Sequence, residues 1–179
     1  FSCIFILYEE VPAVTLPRNP LKFNVGFLLN TPIGYSREIH FEYPEILLKP
    51  DFHLTGFSGV VKAGRTPQGI LIQGEFQGNA PAECVRCLTG FEQKLHATFD
   101  ELYAFDERSI TDSGLLLPED GNIDLEPIVR EYLLIEMPIS PICMSDCRGL
   151  CPICGQNLND LPSDHSHPEE DEKPNEPIL

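Results

Sequence analysis

Six of the seven cysteines lie at spacings typical of metal-binding knuckles. The first pair is Cys84-Val85-Arg86-Cys87, and the run from Cys143 to Cys154 carries four more thiols in Cys143, Cys147, Cys151 and Cys154. A Cys-x-x-Cys turn lets two thiolates approach one ion at the tetrahedral Zn–S distance of about 2.3 Å. Gly155 follows the second such pair and is the small residue that a tight knuckle needs. This pattern predicts structural zinc.

Two histidines, His165 and His167, follow the cysteine run. With Cys151 and Cys154 they would complete a neutral set of two thiolates and two imidazoles. The second set would then be Cys84, Cys87, Cys143 and Cys147. The simpler alternative is a single ion, held by the last four cysteines or by the two Cys-x-x-Cys pairs together. The histidines also fit ordinary exposed positions, so one zinc and two zincs both remain open.

A Cys-x-x-Cys pair can instead be a redox centre, which makes a thiol oxidoreductase the enzymatic alternative. A thioredoxin-like centre requires a βαβ context, whereas the strands of this chain read as antiparallel. Phosphate-cradling loops, nucleophile elbows and His-Glu-x-x-His motifs do not occur in the sequence. We therefore expect a chain without enzymatic activity and without a small-molecule substrate.

The arginines beside the predicted thiolate ligands, Arg86 and Arg148, have two interpretations. They can contact RNA phosphates, or they can offset the surplus negative charge of an all-thiolate site. The net charge of −16 argues against non-specific attraction to a phosphate backbone. Any contact with RNA must therefore be local.

Apolar runs that alternate with turn residues predict a β-rich body of the α+β class. The clearest run places Ile70, Ile72, Gly74 and Phe76 on one side of a strand. The predicted strands are Leu21–Leu29, Arg37–Tyr43, His53–Lys62, Gly69–Gln77 and Gln93–Phe105, with turns at 30–32, 50–51, 65–67 and 78–81. We expect an antiparallel sheet or a partly open barrel.

One amphipathic helix is predicted after the strands. Apolar residues recur at helical spacing from Leu125 to Leu133, Asp124 is a suitable N-cap, and Pro138 ends the pattern. Residues 138–159 carry four cysteines and little apolar mass. We therefore expect a zinc-knuckle element there that depends on metal for its structure.

The length of 179 residues suits one domain, predicted to span 21–159. Residues 1–20, with three prolines, are expected to form a poorly ordered leader, and the acidic residues 160–179 a disordered tail. The apolar opening run is too short to span a membrane, so no membrane association is expected. The cysteine spacing and the lack of an evident export signal predict a reducing cytoplasm.

Three stretches of the sequence resemble the YceD family, whose members are described as large ribosomal RNA subunit accumulation proteins. They are Ala82–Leu88, Ile123–Leu125 and Cys147–Asn159. The resemblance implies a bacterial cytoplasmic factor, or a plastid relative, that supports processing or accumulation of large-subunit rRNA precursor without a known catalytic activity. One branch ends in Cys-x-Cys where this chain has His165-Ser166-His167, a departure that keeps the ligand capacity but leaves a second zinc in question.

Two hypotheses about the partner follow. The leading one is a ribosome-assembly factor that binds precursor rRNA or a ribosomal protein. The alternative is an acidic adaptor or chaperone that holds a basic ribosomal protein before assembly, because the negative body offers it a complementary surface.

Overall fold

A computed structural model describes residues 20–167. Four long strands form one antiparallel sheet in the order β2-β3-β4-β5. These strands are β2 (Ser36–Leu48), β3 (Phe52–Arg65), β4 (Gly69–Glu83) and β5 (Gly90–Ala104). The predicted antiparallel sheet is confirmed, and it is open, with β2 and β5 at its edges. The predicted leader lies almost wholly outside the described residues.

The predicted alternation along β4 is confirmed. Ile70, Ile72 and Phe76 are buried, whereas Gln73 and Glu75 on the opposite side are exposed. The buried side contributes to a core whose aromatic rings cross from the sheet to the helix. The successive ring pairs are Phe41 with Phe76 at 6.0 Å, Phe76 with Phe99 at 6.0 Å and Phe99 with Tyr132 at 5.2 Å.

Glycines make room for this row of rings. Gly59 of β3 lies between Phe41 of β2 and Phe76 of β4 in the strand register. A Cβ atom at Gly59 would lie 2.1 Å from Phe76 Cδ1. Gly74 pairs with Phe99 and has the same relation to its ring, at 2.5 Å from Cζ. The missing side chains therefore let neighbouring rings lie over the backbone.

The one α-helix within residues 20–167 is α1 (Glu126–Ile135), which confirms the predicted amphipathic helix, although its N-cap is Leu125 and not the predicted Asp124. The Asp124 carboxylate accepts a hydrogen bond from the Glu126 amide at 3.0 Å, and Pro127 occupies the first turn. Val129 and Leu133 are buried against the sheet. Glu126 is itself buried and accepts a hydrogen bond from the Lys49 amide at 2.8 Å. This bond ties the start of α1 to the β2–β3 turn.

The prediction of one strand over Leu21–Leu29 was wrong beyond its first residues. Only β1 (Lys22–Asn24) is a strand, and it pairs with β6 (Asn122–Asp124), which the sequence patterns did not predict. Asn24 Oδ1 accepts a hydrogen bond from the Gly26 amide at 2.9 Å. Such a local side-chain bond competes with strand pairing, and a 3₁₀ helix at Gly26–Asn30 follows.

Candidate metal centres

The first Cys-x-x-Cys pair lies in the connection between β4 and β5, not inside a strand. The Leu88 amide donates to Cys84 O at 2.9 Å, and the Cys84 amide donates to Thr89 O at 3.0 Å. These two bonds fold the segment into a tight knuckle. Leu88 adopts a left-handed backbone with φ 57°, which costs a residue with a Cβ about 1–2 kcal/mol.

The second pair repeats this geometry. The Gly155 amide donates to Cys151 O at 2.8 Å, the Cys151 amide donates to Gln156 O at 2.8 Å, and Gly155 has φ 71°. Glycine adopts such a backbone without strain, as expected for the predicted knuckle. Leu88 therefore occupies the position that glycine occupies in the second knuckle.

The segment that follows α1 brings the remaining cysteines to these knuckles. The Val85 amide donates to Pro141 O at 3.0 Å, and the Leu150 amide donates to Arg86 O at 3.1 Å. Gly149, at φ 79°, packs against the first knuckle, where a Cβ atom would lie 3.1 Å from Arg86 O. The cysteine-rich element is therefore attached to the sheet through the backbone of the β4–β5 connection.

The eight predicted ligands fall into two groups of four, and in each group all ligand atoms lie within 4.8 Å of one another. The inner cluster is Cys84, Cys87, Cys143 and Cys147, and the outer cluster is Cys151, Cys154, His165 and His167. The structure does not group the ligands in either of the two single-ion arrangements. The boundary of the acidic tail at residue 160 stays a prediction. His165 and His167, which follow that boundary, lie beside the second knuckle.

The inner cluster has the dimensions of a tetrahedral metal site. Cys84 Sγ lies 3.8 Å from Cys147 Sγ, and Cys87 Sγ lies 3.6 Å from Cys143 Sγ. A tetrahedron with metal–sulfur bonds of about 2.3 Å has edges of about 3.8 Å. Cys84, Cys87 and Cys147 are buried, which shields the site from water.

The outer cluster is similar in size but more exposed. Cys151 Sγ lies 3.2 Å from His167 Nε2, Cys154 Sγ lies 3.6 Å from His165 Nε2, and the two Nε2 atoms are 3.0 Å apart. Cys151 is buried, whereas Cys154 is exposed and both histidines are half-buried. Solvent therefore has easier access to this group than to the inner cluster.

The electrostatics of the thiols favour a bound cation. Burial would raise the pKa of Cys84, but backbone amides of Cys143, Cys87 and Arg86 stabilise its thiolate and lower the pKa to about 6. Amides of Cys154 and Ile153 likewise lower the pKa of Cys151 to about 6.

Cys143 is the inner thiol that resists ionisation beside the other sulfurs. Burial and the neighbouring sulfurs raise the pKa of Cys143 to about 12, whereas the Thr89 hydroxyl lowers the pKa of Cys87. A divalent cation among the four sulfurs would remove this repulsion. All six cysteines in the described range are free thiols, so each cluster can bind a metal ion.

Two asparagines near the sulfurs, Asn157 and Asn159, were not predicted to be part of the site. Asn159 Nδ2 donates to Cys147 Sγ at 3.3 Å, and Asn159 Oδ1 accepts from the Arg148 amide at 2.8 Å. Asn157 Oδ1 in turn accepts from Asn159 Nδ2 at 2.8 Å. Such partners orient the ligands and tune their basicity. The only signal for them in the sequence was their place in the Asn157-Leu158-Asn159 part of the family motif.

The predicted RNA-binding arginines lie beside the clusters and each contacts the chain's own backbone. Arg86 Nη1 donates to Cys147 O at 3.0 Å, and Arg148 Nη2 donates to Leu161 O. These bonds give both side chains a role in holding the cysteine-rich element together. A role in RNA binding stays a prediction.

A family model described as large ribosomal RNA subunit accumulation protein YceD matches residues 72–177. Among curated proteins, an uncharacterized protein of Mycobacterium bovis is 35% identical over 109 residues, which cover 58% of this chain and 52% of that protein. The chain thus spans about half the length of the mycobacterial relative.

The chloroplastic large ribosomal RNA subunit accumulation protein YCED homolog 1 of Arabidopsis thaliana is 39% identical over 54 residues, covering 30% of this chain and 17% of that protein. No solved structure matches the chain. Within residues 20–167, no helix has the length and apolar character needed to cross a bilayer. Because the family model covers more than half of the sequence and includes both knuckles, the chain belongs to the YceD family.

Proposed function

We propose that the chain is a non-enzymatic ribosome-biogenesis factor that supports processing and accumulation of large-subunit rRNA. The observation that carries this proposal is the YceD family match over residues 72–177, together with the name of the Arabidopsis relative, a large ribosomal RNA subunit accumulation protein homolog. The factor acts by binding precursor rRNA or a ribosomal protein. It works in a reducing compartment of the cell, which suits the free thiols of the two clusters.

The proposal includes one structural zinc ion in each cluster. Zinc suits a four-thiolate set and a set of two thiolates and two imidazoles, and it has no redox chemistry of its own. The Sγ–Sγ distances of 3.8 and 3.6 Å in the inner cluster fit its tetrahedral geometry. In this role the ions hold the cysteine-rich element on the sheet and take no part in a reaction.

Depletion of the protein in its own cells tests the proposed role. We expect large-subunit precursor rRNA to accumulate and mature large subunits to decline, measured by RNA blotting and sucrose gradients. Expression of the intact chain should restore both. Unchanged precursor and subunit levels after depletion would rule the role out.

A second candidate is the acidic adaptor that holds a basic ribosomal protein, and the net charge of −16 favours it. Pull-down at moderate salt separates the two modes of binding. Recovery of precursor RNA without a basic protein would reject the adaptor.

A further inference from the structure

Leu88 combines two unfavourable features in this chain. Its backbone is left-handed at φ 57°, where the equivalent position of the second knuckle has glycine, and its side chain is 57% exposed. Burial within the described chain therefore does not offset the backbone strain. Residues with a strained backbone cluster at functional sites such as active sites and ligand-binding positions.

Other exposed aliphatic side chains belong to the same knuckle and to the segment that is bonded to it. Val85, in the same knuckle, is 53% exposed, and Ile142 and Met144, which flank Cys143, are 38% and 48% exposed. The two segments adjoin because the Val85 amide bonds to Pro141 O and Cys87 Sγ lies 3.6 Å from Cys143 Sγ. We call Val85, Leu88, Ile142 and Met144 the knuckle patch. Exposed apolar residues grouped on adjoining segments in this way mark interaction surfaces.

The chemistry of the knuckle patch favours a protein over a nucleic acid. It contains no aromatic side chain on which a base could stack. The nearest predicted phosphate ligand, Arg86, donates to Cys147 O. An RNA partner would therefore find neither a stacking platform nor a cluster of cations here.

The charge of the body favours one class of protein partner. Residues 20–167 contain 21 acidic and 10 basic side chains, so the domain around the patch attracts a basic partner. We propose that the knuckle patch is the docking site for a segment of a basic protein that inserts aliphatic anchor residues beside Leu88. This docking site rests on the proposed function. Of the two partners named there, precursor rRNA and a ribosomal protein, it favours the ribosomal protein.

Substitutions at Leu88 separate docking from folding. Leu88→Asn removes the apolar side chain but keeps a residue that tolerates a left-handed backbone. Leu88→Met keeps an apolar side chain. Ile153→Asn is the matched control, since Ile153 lies between the cysteines of the second knuckle and is 73% exposed. Native mass spectrometry should give all three variants the metal content of the original chain.

Each metal-loaded full chain is immobilised and offered the basic proteins that high salt releases from purified large ribosomal subunits. We expect the original chain to retain at least one of these proteins at moderate salt. Leu88→Asn should raise the Kd for that protein about tenfold or more. Leu88→Met and Ile153→Asn should bind like the original chain. Retention of no protein, or equal retention by Leu88→Asn, would overturn the proposal.

Two further measurements test whether RNA or a second copy of the chain binds the knuckle patch instead. A precursor rRNA transcript that binds the protein-free chain and is lost in Leu88→Asn would overturn the assignment in favour of RNA. A dimer in light scattering that Leu88→Asn dissociates would overturn it in favour of a second copy. If depletion changes rRNA levels but Leu88→Asn binds the ribosomal proteins normally, the docking site is overturned and the proposed function stands. If depletion leaves rRNA levels unchanged, the proposed function is overturned whatever the binding result.

Discussion

At the scale of single residues, the candidate metal ligands could be predicted, but the choice between one group of ligands and two stayed open. Cys-x-x-Cys spacing is local information, because the turn between two cysteines follows from four residues. The choice between one and two ions depends on where Cys143 and Cys147 lie relative to the β4–β5 connection. That position is fixed by backbone bonds such as Val85 to Pro141, which leave no pattern in the sequence.

The partition predicts that ligand substitutions act on separate ions. Cys84→Ser should remove the inner ion and leave the outer one, and Cys151→Ser should do the reverse, because each side chain belongs to a different group of four. Native mass spectrometry should find two ions in the original chain and one in each variant. Ser145→Ala, outside both groups, is the control. Loss of one and the same ion in both variants would instead establish a shared site.

Leu88 and Asn159 show a different limit of sequence reasoning. Glycine after a Cys-x-x-Cys pair signals a left-handed backbone, as at Gly155, but leucine at the same position gives no such signal. The hydrogen bond from Asn159 to Cys147 Sγ spans 12 residues of irregular chain. Neither feature follows from local propensity.

At the scale of elements, the strands and helix were predictable but their ends were not. Gly78 to Pro81 was predicted to be a turn and lies inside β4. Pro81 pairs with Glu92 of β5, whereas the pairing of β4 with β3 ends at Asn79. Among the described strands, none therefore lies opposite the missing amide of Pro81.

Pro44 likewise lies inside a strand. β2 was predicted to end at Tyr43, before this proline, and continues to Leu48. β2 is an edge strand, so one side of its backbone has no strand partner in the part of the chain that the structure describes. A proline identifies an edge position only when the strand order is known. The sequence alone could not provide that order.

The fit between Gly59 and the Phe76 ring should make β3 sensitive to a single methyl group. Gly59→Ala places a Cβ atom where the Phe76 ring lies, and we expect it to lower the free energy of unfolding by about 1–3 kcal/mol. Gly64→Ala in the same strand is the control, since its nearest heavy atom would be 3.6 Å away. Urea denaturation of both variants checks this. Equal stabilities would show that the ring does not require the glycine.

At the scale of the whole molecule, the apolar core and the cysteine-rich element are separate structures. The main cluster of buried apolar residues comprises the sheet, the N-terminal elements and α1. Within residues 20–167, the buried residues around the inner cluster are Cys84, Cys87 and Cys147, and the hydrophobic residues packed against them are Phe91, Cys143 and Leu150. We therefore expect the cysteine-rich element, and not the sheet, to depend on bound metal for its structure.

Metal removal should consequently loosen one part of the protein. After treatment with a strong chelator, amide hydrogen exchange should speed up within residues 138–167, while β2 to β5 remain protected. Re-addition of zinc should restore protection, and magnesium, which prefers oxygen ligands, should not. Simultaneous loss of protection in the sheet would contradict the separation.

The two clusters also differ in how much chain separates their ligands. Cys84 and Cys147 are 63 positions apart, whereas Cys151 and His167 are 16 apart. Bringing the inner ligands together costs about 1 kcal/mol more loop-closure entropy in an unfolded chain. The outer ligands can therefore capture an ion before the sheet exists, and an ion that binds the unfolded chain as well contributes less to native stability. With a metal ion in each cluster, we therefore expect the inner ion to contribute more to the stability of the fold than the outer ion.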